Sequence, residues 1–450
     1  MLNKTSWNSN YLSMMLLHLL LGLFVFYFKP LAIVYSALIF ACGIYFIIKN
    51  RDINNEAIFW ASYMVGAEVF FRMSKFVISH EFAKYAVIVF ISLAVYFKGT
   101  SKKGMPYVIF LILLVPGIII GVLTLNFEAN VRKTIVFNMV GPVCLAVSSI
   151  HMADRKFSFD DFEKLTRWMM YPMIAMLIYL FSHNPSIKEV VTGTDSNSAT
   201  SGGFGPNQVS TILGLGMFLA FTRLLFFSKS ITIVFVNVTL LLLFSYRGII
   251  TFSRGGVFTG IAMIIVLMIS IYPFISLKGR IRINIMAIFL SIFGVAVFTY
   301  SISQTSGLIL NRYKGEDALG REKASKFSGR EELAESEIEM FVDNPLLGIG
   351  VGKNKEYREE NLNISAVSHN EITRMLAEHG SLGIINLLIL FITPLAFYLN
   401  NKQHIFLLSF FIFWFLTINH AAMRIAAPAF IYALTLLKVT IIEKPLIHRE

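Results

Sequence analysis

TSGLILNRYKGEDALGREKASKFSGREELAESEIEMFVDNPLLGIGVGKNKEYREENLNISAVSHN, residues Thr305–Asn370, is the longest polar interruption in an otherwise apolar chain. Hydrophobic runs precede it for most of the sequence and resume immediately after it. A connection of this length is far beyond the few residues that usually join two elements, and such connections tend to carry function. The stretch therefore reads as the chemical half of an integral membrane protein, presented on one side of a bilayer.

Composition agrees. Hydrophobic residues make up 56% of the 450, and only 15% are charged, against roughly 25% in soluble domains. Apolar runs long enough to cross a hydrocarbon core of about 30 Å as helices recur throughout. By run length we place spans at 11–28, 31–48, 57–74, 82–97, 107–125, 131–150, 167–183, 207–227, 231–246, 255–272, 281–304, 371–398, 404–419 and 425–441. The expected fold is an all-α polytopic membrane protein with about 12–14 transmembrane helices and one large periplasmic loop containing short helices. Its organisation is residues 1–200, N-terminal spans; 201–304, a transmembrane core; 305–370, the loop; and 371–450, C-terminal spans. The first apolar run is not followed by a small-residue cleavage site and reads as a span, not a removed signal.

The net charge is +12, but most cations sit in short connections, a placement that fits membrane orientation and not nucleic-acid binding. With the N-terminus inside, one set of loops holds Lys49, Arg51, Lys98, Lys102, Lys103, Arg155, Lys156, Lys278, Arg280 and Arg282, and the tail adds Lys444 and Arg449. The other side is poorer, with Arg72, Arg132, Arg247, Arg254 and Arg424 among its cations. This asymmetry puts Thr305–Asn370 outside, together with a second polar loop, residues 183–206, rich in Gly and Ser. Cys42 and Cys144 lie inside apolar runs, so neither a disulfide framework nor a cysteine metal site is expected.

Two capping boxes punctuate the large loop. Ser328-x-x-Glu331 starts a short helix with Ala334, Ile338 and Phe341 on one stripe, and Ser368-x-x-Glu371 starts the next span. His369 then falls in that span's first turn, where the helix dipole disfavours the imidazolium. A neutral imidazole there is either a general base or a simple interfacial residue. Arg254, at a turn on the cation-poor side, suits bidentate phosphate contacts, as does Arg330 across the surface. Topology does not explain Arg247 and Arg254 on this side; snorkelling to the interface is the plainer reading. Gly348-Ile349-Gly350-Val351-Gly352 follows no strand and reads as a tight turn, not a nucleotide loop. Glu68 and Arg72, four apart, read as an internal ion pair. No metal-ligand pattern and no nucleophile elbow is present in the sequence.

Taken in order, Gly205-Pro206-Asn207, Ser253-Arg254-Gly255-Gly256, Ser328-Gly329-Arg330, Asn344-Pro345-Leu346-Leu347-Gly348-Ile349-Gly350 and His369-Asn370, with Ala377-Glu378-His379-Gly380 beyond, resemble the O-antigen ligase and O-antigen polymerase superfamily. The resemblance is strongest between Gly202 and Gly383. Where that family often has Asn-Pro-Asn, this chain has Gly205-Pro206-Asn207.

The resemblance implies an inverting, metal-independent glycosyltransferase without a cofactor, in the bacterial inner membrane, its active site facing the periplasm. It implies a glycan donor on undecaprenyl pyrophosphate and a sugar acceptor: lipid A-core in a ligase of lipopolysaccharide biosynthesis, or a growing lipid-linked glycan in a polymerase of O-antigen, capsule or exopolysaccharide. By the same resemblance His369 is the general base and Arg254 and Arg330 hold the pyrophosphate, with Asn207, Arg247 and Asn370 in support. A chain-length regulator is a candidate partner. The reading of a different class is a lipid-linked oligosaccharide flippase. Transporters, however, place their polar groups near the midplane, often in repeated halves, whereas here they gather at one interface.

Overall fold

The computed structural model describes residues 4–126, 130–184, 186–196, 198–323 and 330–440, with side chains from residue 10. Ser328, Gly329 and the tail cations Lys444 and Arg449 lie outside the described residues. The described chain is almost entirely helical: α1 (Lys4–Tyr27), α2 (Leu31–Asn50), α3 (Glu56–Ser74), α4 (Phe82–Lys98), α5 (Met105–Thr124), α6 (Val131–Met152), α7 (Phe159–His183), α8 (Ile187–Val190), α9 (Pro206–Phe226), α10 (Ile231–Ile250), α11 (Arg254–Ile271), α12 (Leu277–Gln304), α13 (Leu308–Lys314), α14 (Arg330–Asp343), α15 (Lys353–Leu362), α16 (Glu371–Asn400), α17 (Leu407–Ile418) and α18 (Ala426–Leu434). It is an all-α, multi-pass membrane architecture.

Each of the fourteen expected spans falls on a helix. Among the described residues nine helices combine the length and apolarity to cross a bilayer. The last expected pair differs: α17 has 12 residues and α18 has 9, about 18 Å and 14 Å of helix, too short for two full crossings. They form a hairpin whose turn meets the start of α16, where Arg424 donates to Ser368 O. Its turn, residues 419–425, is almost wholly buried, with Ala421, Ala422, Met423 and Ile425 at 5% exposure or less. A backbone turn at such depth needs every polar group met from within the protein. Glu68 Oε2 accepts from Ala426 N at 2.6 Å, the buried Lys84 Nζ donates to Met423 O at 3.4 Å, and Glu371 Oε2 accepts from Met423 N at 3.4 Å. The expected Glu68–Arg72 pair is present at 2.6 Å, and it fixes the carboxylate that caps α18. At the opposite face a short parallel ladder, Lys156–Ser158 with Lys438–Thr440, ties the chain after α18 to the segment before α7.

Helices α9 and α11 make the closest crossing. A Cβ on Gly256 would land on the Ser210 carbonyl, and one on Gly260 would sit 2.6 Å from Gly214 O. Small residues let two membrane helices approach this closely. Helix α12 stands away from the bundle, with side chains such as Ile288, Phe289, Ile292 and Val295 exposed. Between it and α10 and α11 lies an apolar groove of about 1150 Å³, lined by residues including Val238, Ile261, Ile265, Phe293 and Phe298. At one end it reaches Tyr313 and at the other Arg282.

Candidate active site

Sequence motifs far apart in the chain meet in pairs. Ser253 Oγ donates to Asn207 Oδ1 at 2.8 Å, and Ser210 Oγ donates to Ser253 O at 2.8 Å. The Gly-Pro-Asn and Ser-Arg-Gly-Gly motifs are thus one structure at the loop end of the α9–α11 crossing, and it fixes where Arg254 starts its helix. Gly255 admits a neighbour: a Cβ there would meet the His420 ring at 2.7 Å.

A second pairing joins the large loop to α16. Gly380 has φ +59° and ψ −135° inside that helix, a conformation open in practice to glycine alone. The kink replaces the helix's own bonds with bonds to the loop: Ser381 N donates to Pro345 O at 2.7 Å, and Ile349 N donates to Ala377 O at 2.8 Å. Gly352 N donates to Glu378 Oε1 at 2.9 Å. The glycine-rich run is a structural turn, as its lack of a preceding strand implies, and it docks on the Ala-Glu-His-Gly segment. Beneath it Arg374 bridges Glu371 and Glu378. Helix α14 is pinned alongside by Glu337, which pairs with Arg358 at 3.0 Å and accepts from Thr373 Oγ1. This corrects the expected stripe. Leu333, Glu337 and Met340 are buried, and Ile338 is exposed, because the Arg358 pair draws a carboxylate inward.

The start of α16 also differs from expectation. Asn370, not Ser368, is the cap: its Oδ1 accepts from Ile372 N at 2.8 Å. Ser368 Oγ donates to Asn370 O, and Glu371 turns to Arg374. Asn and Ser cap about equally well, and the inward ion pair claims the glutamate a capping box would use. His369 consequently precedes the helix. Its Nδ1 is buried without a hydrogen-bond partner among the described residues. Burial first, then the charges of Arg424, Arg330 and Arg358, push its pKa down to about 4. The ring is neutral at pH 7, through desolvation and nearby guanidinium groups more than through a helix dipole.

Those guanidinium groups form a cluster. Arg254 Nη1 reaches the carbonyl of Arg312 at 3.5 Å, and Arg312 Nε donates to Phe252 O at 3.1 Å. Arg330 is held below its ordinary pKa by burial and by the charge of Arg254, and Arg312 by burial and by Arg254 and Arg330. Arg424 donates to Ser368 O and lies over the Phe137 ring, 5.9 Å from its centroid. The second polar loop closes the cluster from the side: Asp195 pairs with Lys323 at 2.6 Å and with Arg312 at 3.4 Å. His420, on the buried turn, faces Thr211 Oγ1 at 3.2 Å through Nε2.

Of the residues singled out from sequence, the structure gathers Arg254, Arg330 and His369. Asn207 anchors Ser253, and Asn370 caps the helix behind His369. Arg247 is placed apart, buried under Phe181, with Nη2 donating to Thr200 O at 3.3 Å. Arg312, Arg424 and His420 were missed. The signal available for Arg424 was its position, a cation on the cation-poor side beside a polar break between two apolar runs.

Residues 238–388 match a family model described as O-antigen ligase. The match covers about a third of the chain and supports a relationship to the O-antigen ligase/polymerase superfamily. The matched segment contains Arg254, Arg312, Arg330 and His369, whereas Asn207, His420 and Arg424 reach the O-antigen ligase domain from outside it. The superfamily comprises glycosyltransferase-like enzymes that work on lipid-linked glycans and a glycan acceptor. No curated protein and no solved structure gave a match.

Proposed function

We propose that this protein is a glycosyltransferase that moves a glycan from undecaprenyl pyrophosphate to a sugar hydroxyl, ligase-like with lipid A-core as acceptor, at the periplasmic face of the bacterial inner membrane. One observation carries the reading: an apolar groove ends at Tyr313, next to Arg312 and the arginine cluster, with a neutral histidine at the cluster's edge. A polyprenyl chain needs the groove, a pyrophosphate needs the cations at its mouth, and an attacking hydroxyl needs the base.

In the proposed step the acceptor hydroxyl gives its proton to His369. Its oxygen bonds to the anomeric carbon from the face opposite the pyrophosphate. The carbon–oxygen bond to phosphate breaks, and its electron pair stays on the departing pyrophosphate. Arg254, Arg312 and Arg330 stabilise the charge that develops there. Fixed cations in a site of low polarity act most strongly where charge appears, and none of them has to reorganise during the step.

The test is a surface-glycan gel with lipid-linked glycan analysis on a strain lacking the gene, followed by transfer with the purified protein. Bare lipid A-core with long glycan retained on undecaprenyl pyrophosphate is the expected result. Core carrying a single repeat without a ladder, or intact lipopolysaccharide with lost capsule, would instead make it a repeat-unit polymerase. Lipid-linked glycan trapped on the cytoplasmic leaflet would make it a flippase and refute the chemistry.

A further inference from the structure

Beside Ser368, the residue before His369, the surface dips into a cleft of about 40 Å³. A water needs roughly 10–15 Å³ measured in this way, so the cleft takes about three hydroxyl-sized groups. Its walls include Phe137 and Asn138 of α6, Asn354 and Arg358 of α15, Ser368, and Arg424 of the buried turn. Two of these carry unspent donors: Asn354 is 3% exposed and its Nδ2 has no partner, and Arg358 is fully buried with Nε unpartnered. Buried donors are normally satisfied, and an orphan at a candidate site points to a ligand or bound water. Ser368 immediately precedes His369, and Arg424 and Arg358 are among the charges acting on its ring. The cleft therefore adjoins the histidine and shares Arg424 with the arginine cluster.

We propose that this cleft is the acceptor subsite, seating the hydroxyl-bearing edge of a neutral saccharide ring. This rests on the glycosyl-transfer reading. An attacking sugar must present its hydroxyl to the base while it approaches the anomeric carbon opposite the leaving pyrophosphate, and the cleft adjoins the base. Its chemistry suits a sugar edge: an amide and a guanidinium offer hydrogen bonds to hydroxyls, and the Phe137 ring offers an apolar face to C–H groups. Most other charges in its walls are paired, Arg358 with Glu337, Arg374 with Glu371 and Glu378, and Lys355 with Glu359, while Arg424 donates to the Ser368 carbonyl.

The test uses the full-length protein in lipid nanodiscs with two probes, lipopolysaccharide core oligosaccharide and free repeat-unit oligosaccharide. Binding is read by saturation-transfer NMR, and transfer is read from a lipid-linked donor. Asn354→Leu fills the cleft, and Phe137→Ala removes its apolar wall without touching an ion pair. Each is expected to raise the acceptor KM about tenfold, the weight of one hydrogen bond or one ring contact. Donor KM and the slow acceptor-free release of undecaprenyl pyrophosphate stay as in the unaltered protein. Unchanged acceptor KM and NMR signal in both variants would overturn the assignment, as would a rise confined to donor KM. If the unaltered protein transfers nothing, the glycosyltransferase reading fails. The NMR arm still decides whether a saccharide occupies the cleft: signal lost in Asn354→Leu supports it, and signal retained or never present refutes it.

Discussion

If His369 is the base, its neutral fraction sets the acid limb of the transfer reaction. The free protein's imidazole is neutral above a pKa of about 4, because burial and then Arg424 and Arg330 oppose its protonation. At pH 5.5 a group with that pKa is about 97% neutral, whereas one at the ordinary value of about 6.5 is about 9% neutral. Since kcat/KM reports the free enzyme, transfer at pH 5.5 should keep nearly its full kcat/KM, about tenfold above an unperturbed histidine. A doubly ionised pyrophosphate diester bound among the arginines offsets their charge and raises the imidazole pKa. The limb in kcat should therefore lie at higher pH than the limb in kcat/KM. Arg424→Gln removes the first of the charges acting on the ring and keeps hydrogen-bond donors toward Ser368. It should lift the kcat/KM limb from about 4 while leaving it below about 6.5, because burial remains the largest cause. The donor itself does not titrate in this range, so the limb belongs to the protein. The assay is the pH profile of purified, reconstituted enzyme with a lipid-linked glycan. A kcat/KM limb at or above pH 6.5 in the unaltered protein, or full activity in His369→Gln, would refute the assignment of the base.

Arg254→Ala and Arg330→Ala should each lower kcat by roughly 10²–10³, the usual cost of one preorganised group at a developing charge, in a steady-state transfer assay with intact detergent-solubilised fold. Gly380→Ala forces a side chain into a left-handed kink and places its Cβ 2.7 Å from Gly348 N; strain alone costs about 1–3 kcal/mol, to be seen as a lower unfolding temperature. Glu337→Ala leaves the fully buried Arg358 unpaired and should cost about 3–5 kcal/mol, read as faster proteolysis between α14 and α15.

Run length placed every expected span on a helix, yet among the described residues nine helices have the length and apolarity to cross a bilayer, and α3, α4, α7, α17 and α18 are not among them. It misjudged α17 and α18, since a count of apolar residues does not register how deep a turn lies. Glu68 and Lys84, hundreds of positions away, are what allow the break at residues 419–425 to stay buried. The local rules failed where ion pairs overrode them. Ser368 and Glu371 have the spacing of a capping box, but Arg374 takes the glutamate and Asn370 takes the cap. Glu337 lies off the expected stripe of Ala334, Ile338 and Phe341, and is buried because Arg358 pairs with it. For the candidate site, Arg254 stood out as a cation that topology does not explain, and Arg330 and His369 entered through their place in the family's motifs. Arg312 and His420 stand in no pattern and Arg424 offered only its place on the cation-poor side, so their meaning comes from contacts across the bundle.

The buried turn between α17 and α18 also bears on the order in which the site comes together during biosynthesis. Helices enter the membrane as the ribosome makes them, so the groove, Arg254, Arg330 and His369 are all in place before the segment bearing His420 and Arg424 emerges. Glu68 and Lys84 wait from the first stretch of translation for a partner that arrives among the last. A chain that stalls before residue 419 would carry Arg254, Arg330 and His369 but lack His420, which packs on Gly255, and Arg424, which donates to the Ser368 carbonyl.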